Sequence, residues 1–138
     1  MKNQLTVLVT ALALSVPFSL AAEEEKQEAY IYATYMYCGT GVQGKADEAM
    51  KKNAVPVYDA AVADGTIQAW GWLAHHTGGK WRRIQYHMSD SVEGLLAAQE
   101  TIGQRMDEAS GGADDGLGEY CPSHDDYIWK MENGSGPG

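Results

Sequence analysis

Apolar positions change their spacing several times along this chain, and each change marks an element. From Glu28 to Cys38, EAYIYATYMYC is dense in Tyr and Ile and bounded by Gly39 and Gly41, the signature of a strand. Between Lys45 and Ala63 the spacing becomes three and four, through Ala46, Ala49, Met50, Val57 and Ala61, which predicts a helix stopped by Gly65. Pro56 lies inside it and should kink or split it. Ile67–His76 and Lys80–Met88 read as two strands around Gly78-Gly79, a hairpin signal. Asp90 with Glu93 resembles a capping box, and Val92, Leu95, Leu96, Ile102 and Met106 form the stripe of a second helix. Residues 110–126 read as a long acidic loop, Asp126–Met131 as a last short strand and 132–138 as a disordered tail.

The order strand, helix, strand, strand, helix, strand is one ferredoxin-like βαββαβ unit of the α+β class. Right-handed crossovers give a four-stranded antiparallel sheet of order 4-1-3-2 with both helices on one face. In that order the first and fourth strands are antiparallel neighbours. Cys38 ends the first and Cys121 precedes the fourth, so a Cys38–Cys121 disulfide is expected, with two free thiols as the alternative.

A two-residue turn at Gly78-Gly79 sets the hairpin register: Ala74 opposite Arg83, Leu73 opposite Ile84, Trp72 opposite Gln85, Trp70 opposite His87. Alternation then puts Gly71, Leu73, His75, Arg82, Ile84 and Tyr86 on one face. Trp70, Trp72, Ala74, His76, Trp81, Arg83, Gln85 and His87 fall on the other. The small and aliphatic set suits the helices, which leaves the tryptophan set on the uncovered face. A bare face with three Trp is rare in a soluble monomer, so a second copy packed face to face is expected, with room for a small-molecule ligand between. On this reading Trp70, Trp72, Trp81 and Gln85 grip a planar ligand. His76, Arg83 and His87 are the candidate catalytic groups, a histidine as proton acceptor and Arg83 as anion stabiliser.

The same geometry argues against a metal. His75 and His76 are adjacent in a strand and point to opposite faces, and His76 and His87 lie about 20 Å apart along the hairpin. No GxSxG motif or phosphate loop occurs, and the reading requires no cofactor.

MKNQLTVLVTALALSVPFSLAA has one early Lys, an apolar run and small residues before EEEKQ, which reads as a signal peptide over residues 1–22. An acidic linker (23–28) and a single domain (29–131) follow, in the periplasm or secreted, with no membrane span once the signal is cleaved. The net formal charge is −9. Loss of Lys2 with the signal deepens it, which argues against nucleic-acid partners.

The element order, together with YIYATYMYC, PVYDAAVADGTIQAWGWLAHHTGG and KWRRIQYH, resembles the dimeric α+β barrel superfamily of ferredoxin-like domains. That resemblance implies the fold and a homodimer through the open sheet face. It also brings quinol-oxidising monooxygenases, muconolactone isomerases and haem degraders into view, without selecting among their reactions. The leading expectation is an exported small-molecule-binding protein, with cofactor-independent monooxygenase or isomerase chemistry on a planar aromatic substrate left open. The alternatives are a non-catalytic envelope protein whose aromatic face is a dimer core, and a haem- or metal-binding protein.

Overall fold

The computed structural model describes residues 28–112 and 116–134. The segment read as an export signal, most of the acidic linker and the last four residues of the tail lie outside the described residues.

The first strand, β1, is Tyr30–Tyr37. The helical stretch after it splits, as Pro56 predicts, into α1 (Gln43–Ala49), a π-helical turn (Met50–Ala54) and α2 (Val55–Ala63). Pro56 falls in the first turn of α2, where its missing N–H costs nothing, and the wider turn before it absorbs the change of ladder. The hairpin strands are β2 (Ala69–Ala74) and β3 (Arg83–Ser89). The second long helix, α3, spans Val92–Ser110. Its N-cap is Ser91 rather than the expected Asp90: the Ser91 hydroxyl accepts the Gly94 N–H at 3.0 Å. Gly111, at φ 64°, closes α3 in the left-handed conformation that a side chain would strain. The expected long loop is shorter than its composition suggests, because it contains α4 (Leu117–Tyr120) and the start of β4 (Ser123–Lys130).

The strands form one sheet in the order β2-β3-β1-β4, the predicted order read from the other edge, and every pairing is antiparallel. The hairpin register is the predicted one, with Trp70 opposite His87 and Ala74 opposite Arg83. The barrel expectation is corrected: β2 and β4 each pair on one side only, so the sheet is open. β4 is exposed along its whole length.

The core lies between the sheet and the helices. Met50, Val57, Tyr58 and Ala61 come from the first helical stretch and Ala98 and Ile102 from α3. Leu95, also on α3, is fully buried. A smaller cluster surrounds a disulfide between Cys38 and Cys121, which closes a sequence separation of 83 residues. Closure of a loop this long is worth roughly 4 kcal/mol on chain-entropy grounds.

Candidate functional site

The helix-covered face of the sheet carries the polar residues. Alternation places Tyr32, Thr34 and Met36 of β1 beside His87, Gln85 and Arg83 of β3, and the helices above supply their partners. Arg83, 6 % exposed, grips Asp47 of α1 with two bonds: Nε donates to Oδ1 at 2.6 Å and Nη2 to Oδ2 at 2.7 Å. The Trp72 indole donates to the same Oδ1 at 2.8 Å, and the Trp70 indole donates to Asp59 of α2 at 2.9 Å. Hydrogen bonding from Arg83, helped by Trp72 and by the guanidinium charge, holds the Asp47 carboxyl below its ordinary range against the opposing effect of burial.

Deeper on this face, His87 is wholly buried. Its ring stacks on Tyr32 at 5.4 Å and lies tilted 6.3 Å from Tyr58, which in turn stacks on Trp70 at 5.2 Å. Burial pushes the His87 imidazole below its ordinary range. The Leu95 main chain acts in the opposite sense, yet neither ring nitrogen reaches a partner in hydrogen-bond geometry. Gln85 Nε2 and Gln99 Oε1 are likewise buried without a bond. This interior suits a neutral imidazole held between two phenols, and no bulk solvent reaches it.

The face assignment from sequence is therefore inverted. Of the seven expected site residues, Trp70, Trp72, Arg83, Gln85 and His87 lie under the helices. His76 is exposed in the hairpin loop, 3.0 Å from the Thr77 hydroxyl. Trp81 stands alone on the open side, because β3 begins only at Arg83 and the alternation does not reach it; its ring meets Tyr35 edge-on at 6.1 Å.

The open face is apolar and exposed. A concavity of about 480 Å³ runs across it, lined by Ile31, Ala33 and Tyr35 of β1, Leu73 of β2, Ile84 and Tyr86 of β3, and Trp129 of β4. Leu73 is 48 % exposed and Trp129 49 %. Gly71 belongs to this surface for a steric reason: a Cβ there would stand 2.4 Å from Tyr86 Cε1, so the tyrosine ring lies across bare backbone. Sequence reasoning missed Tyr35, Leu73, Tyr86 and Trp129 as surface-forming residues, and Asp47 and Asp59 as partners of the tryptophans. Among the described residues no group of three or more His, Cys, Asp or Glu is gathered to hold a metal ion, and no helix is long and apolar enough to cross a membrane.

No protein-family model matches the sequence, and no curated protein matches it. Solved structures do match the fold. An uncharacterized NIPSNAP domain protein from Burkholderia xenovorans superposes with a TM-score of 0.57 at 9% identity, over 80% of this chain and 99% of that one. A NIPSNAP family protein from Agrobacterium tumefaciens gives 0.56 at 11% identity, over 74% and 90%. A dimeric protein of unknown function and ferredoxin-like fold from Bacteroides fragilis gives 0.50 at 10% identity, over 75% and 96%. At such identities the likeness is one of fold alone. It corrects the resemblance drawn from sequence: the chain is similar to ferredoxin-like, NIPSNAP-type folds with an open sheet, and a closed α+β barrel is not its architecture.

Proposed function

We propose that this chain is an exported small-molecule-binding domain that works as a homodimer, with the open sheet face as both its ligand surface and its contact with the second copy. The observation that carries this reading is the 480 Å³ concavity of aromatic and aliphatic side chains on a face no helix covers. Its size falls in the range of about 300–1,000 Å³ common to ligand pockets. An exposed apolar patch of this kind marks an interaction site. Tyr35, Tyr86 and Trp129 suit a planar, aromatic ligand. The dimeric fold relative from Bacteroides fragilis supports the second copy, and the Cys38–Cys121 bridge suits an oxidising compartment such as the periplasm or the exterior. Oxygenase or isomerase chemistry would need a proton acceptor beside the ligand. His87 and Arg83 are turned to the other face, so the reading stops at binding.

Native mass spectrometry of the exported, unreduced protein tests it. A dimer carrying extra mass is the expected result, and that mass names the compound to assay. A dimer of bare chains moves the reading to an aromatic dimer core without a ligand. A monomer overturns it.

A further inference from the structure

The hairpin between β2 and β3 gives the open face a charged end. Residues 80–83, KWRR, hold three of the ten Lys and Arg of a chain whose net formal charge is −9. A second concavity of about 300 Å³ lies there, and it shares Leu73 and Ile84 with the apolar groove, so the two adjoin.

Arg82 lines this end and is held in place. Its Nη1 donates to the Gly79 carbonyl at 2.9 Å and stands 3.3 Å from His75 Nδ1. The other ring nitrogen of His75 meets the Gly78 carbonyl. A guanidinium only donates, so Nδ1 accepts from Arg82 and Nε2 is left as the ring donor facing that carbonyl. Gly78 and Gly79, at φ 80° and 66°, shape the loop that offers both carbonyls. The Nε–Nη2 edge of Arg82 makes no hydrogen bond among the described residues, and neither Arg82 nor Lys80 has a carboxylate partner among them. Arg83 uses that same edge to hold Asp47 in two parallel bonds. Lys80 extends over Trp81, its ammonium 4.3 Å from the ring centroid. At the other side of the face, Asp125 of β4 stands opposite Tyr35 of β1. That is two strand spacings, about 10 Å, from β3. An anion is therefore repelled from the β4 side and drawn to the hairpin.

We infer that the open face takes a planar aromatic carboxylate, with its ring system against Tyr35, Leu73 and Tyr86 and its carboxylate on the Nε–Nη2 edge of Arg82 beside Lys80. A planar two-oxygen anion matches the guanidinium fork, as Asp47 does on Arg83. The inference rests on the reading of the open face as a ligand surface and adds the charge and orientation of the ligand.

The test is calorimetric titration of the disulfide-bonded protein at low salt with 2-naphthoate and with its neutral counterpart 2-naphthalenemethanol. The acid is expected to bind about tenfold tighter than the alcohol. Arg82→Gln should erase that preference while leaving the alcohol unchanged. Lys80→Gln, whose side chain makes no hydrogen bond to the loop, should reduce the preference roughly two- to threefold. Equal binding of acid and alcohol by the unaltered protein overturns the inference and leaves the groove reading standing. A preference for the acid that survives both substitutions also overturns it, because the carboxylate then lies elsewhere. If Arg82→Gln weakens both probes alike, the hairpin has loosened and Lys80→Gln decides: an unchanged preference there overturns the inference. Failure of both probes to bind removes the groove reading and the inference together.

Discussion

On its helix-covered face the sheet buries a guanidinium, an amide and an imidazole; on its bare face it shows Leu73, Tyr86 and Trp129 to solvent. Burial rules taken residue by residue would place these sets the other way round. For Arg83 and the Trp72 indole the difference lies in partners, whereas His87 and Gln85 Nε2 are buried without one. Arg83 is buried, and Trp72 partly so, at no great cost because Asp47 of α1 accepts hydrogen bonds from both. The apolar set has no such cover among the described residues, and its exposure is what supports the proposed contact and ligand surface.

Substitutions separate the two faces, and the largest effect belongs to the covered one. Leu95→Ala, at a position with no exposure, should cost about 3 kcal/mol in urea denaturation, through lost transfer energy and a cavity. Arg83→Leu should cost about 2 kcal/mol: it strands Asp47, but that carboxylate is 41 % exposed and recovers part of its hydration. The same variant tests a pH dependence. The folded Asp47 carboxyl titrates below its unfolded value, so its contribution is complete above about pH 4 and is lost as pH falls through the folded value. Arg83→Leu should flatten that acid limb.

His87 has the same sense of shift for a different reason. Burial depresses its folded value, so the unfolded chain takes the proton first and stability falls as pH drops below about 6.5. His87→Gln should remove this slope from a series of denaturation curves. On the open face the effects on stability shrink. Gly71→Ala should cost about 1 kcal/mol, because the new methyl must displace the Tyr86 ring. Leu73→Lys should change the stability of the isolated chain by less than about 0.5 kcal/mol. On the proposed homodimer it should nevertheless shift a sedimentation profile from dimer to monomer. A Leu73→Lys variant that stays dimeric would break the comparison, since the bare face would then not be the contact surface.

Much of this architecture was legible in the sequence because it depends on local signals. Gly78-Gly79 fixed the pairing of Trp70 with His87, Pro56 marked the split helix, and element order placed Cys38 beside Cys121. The sign of the two faces was not legible. Alternation says which side chains share a face, but the choice of face depends on partners far away in sequence. Nothing near Trp70 or Trp72 points to Asp59 or Asp47, 11 and 25 residues earlier, and an indole counts as apolar until its N–H finds an acceptor. Trp81 alone stays on the open side expected for the tryptophans, because strand pairing ends before it and the period of two no longer ties it to Trp70 and Trp72. The capping residue moved by one position, from Asp90 to Ser91, a distance within which pattern reading does not discriminate.

The Cys38–Cys121 bond also makes most of the domain a covalent ring. Both long helices, the hairpin and β3 lie between the two cysteines, while β1 and β4 leave the ring as paired tails. A protease that cuts once anywhere inside the ring releases nothing. The nicked molecule gains the mass of one water, runs as a single species without reductant, and falls into two pieces only when the bridge is opened.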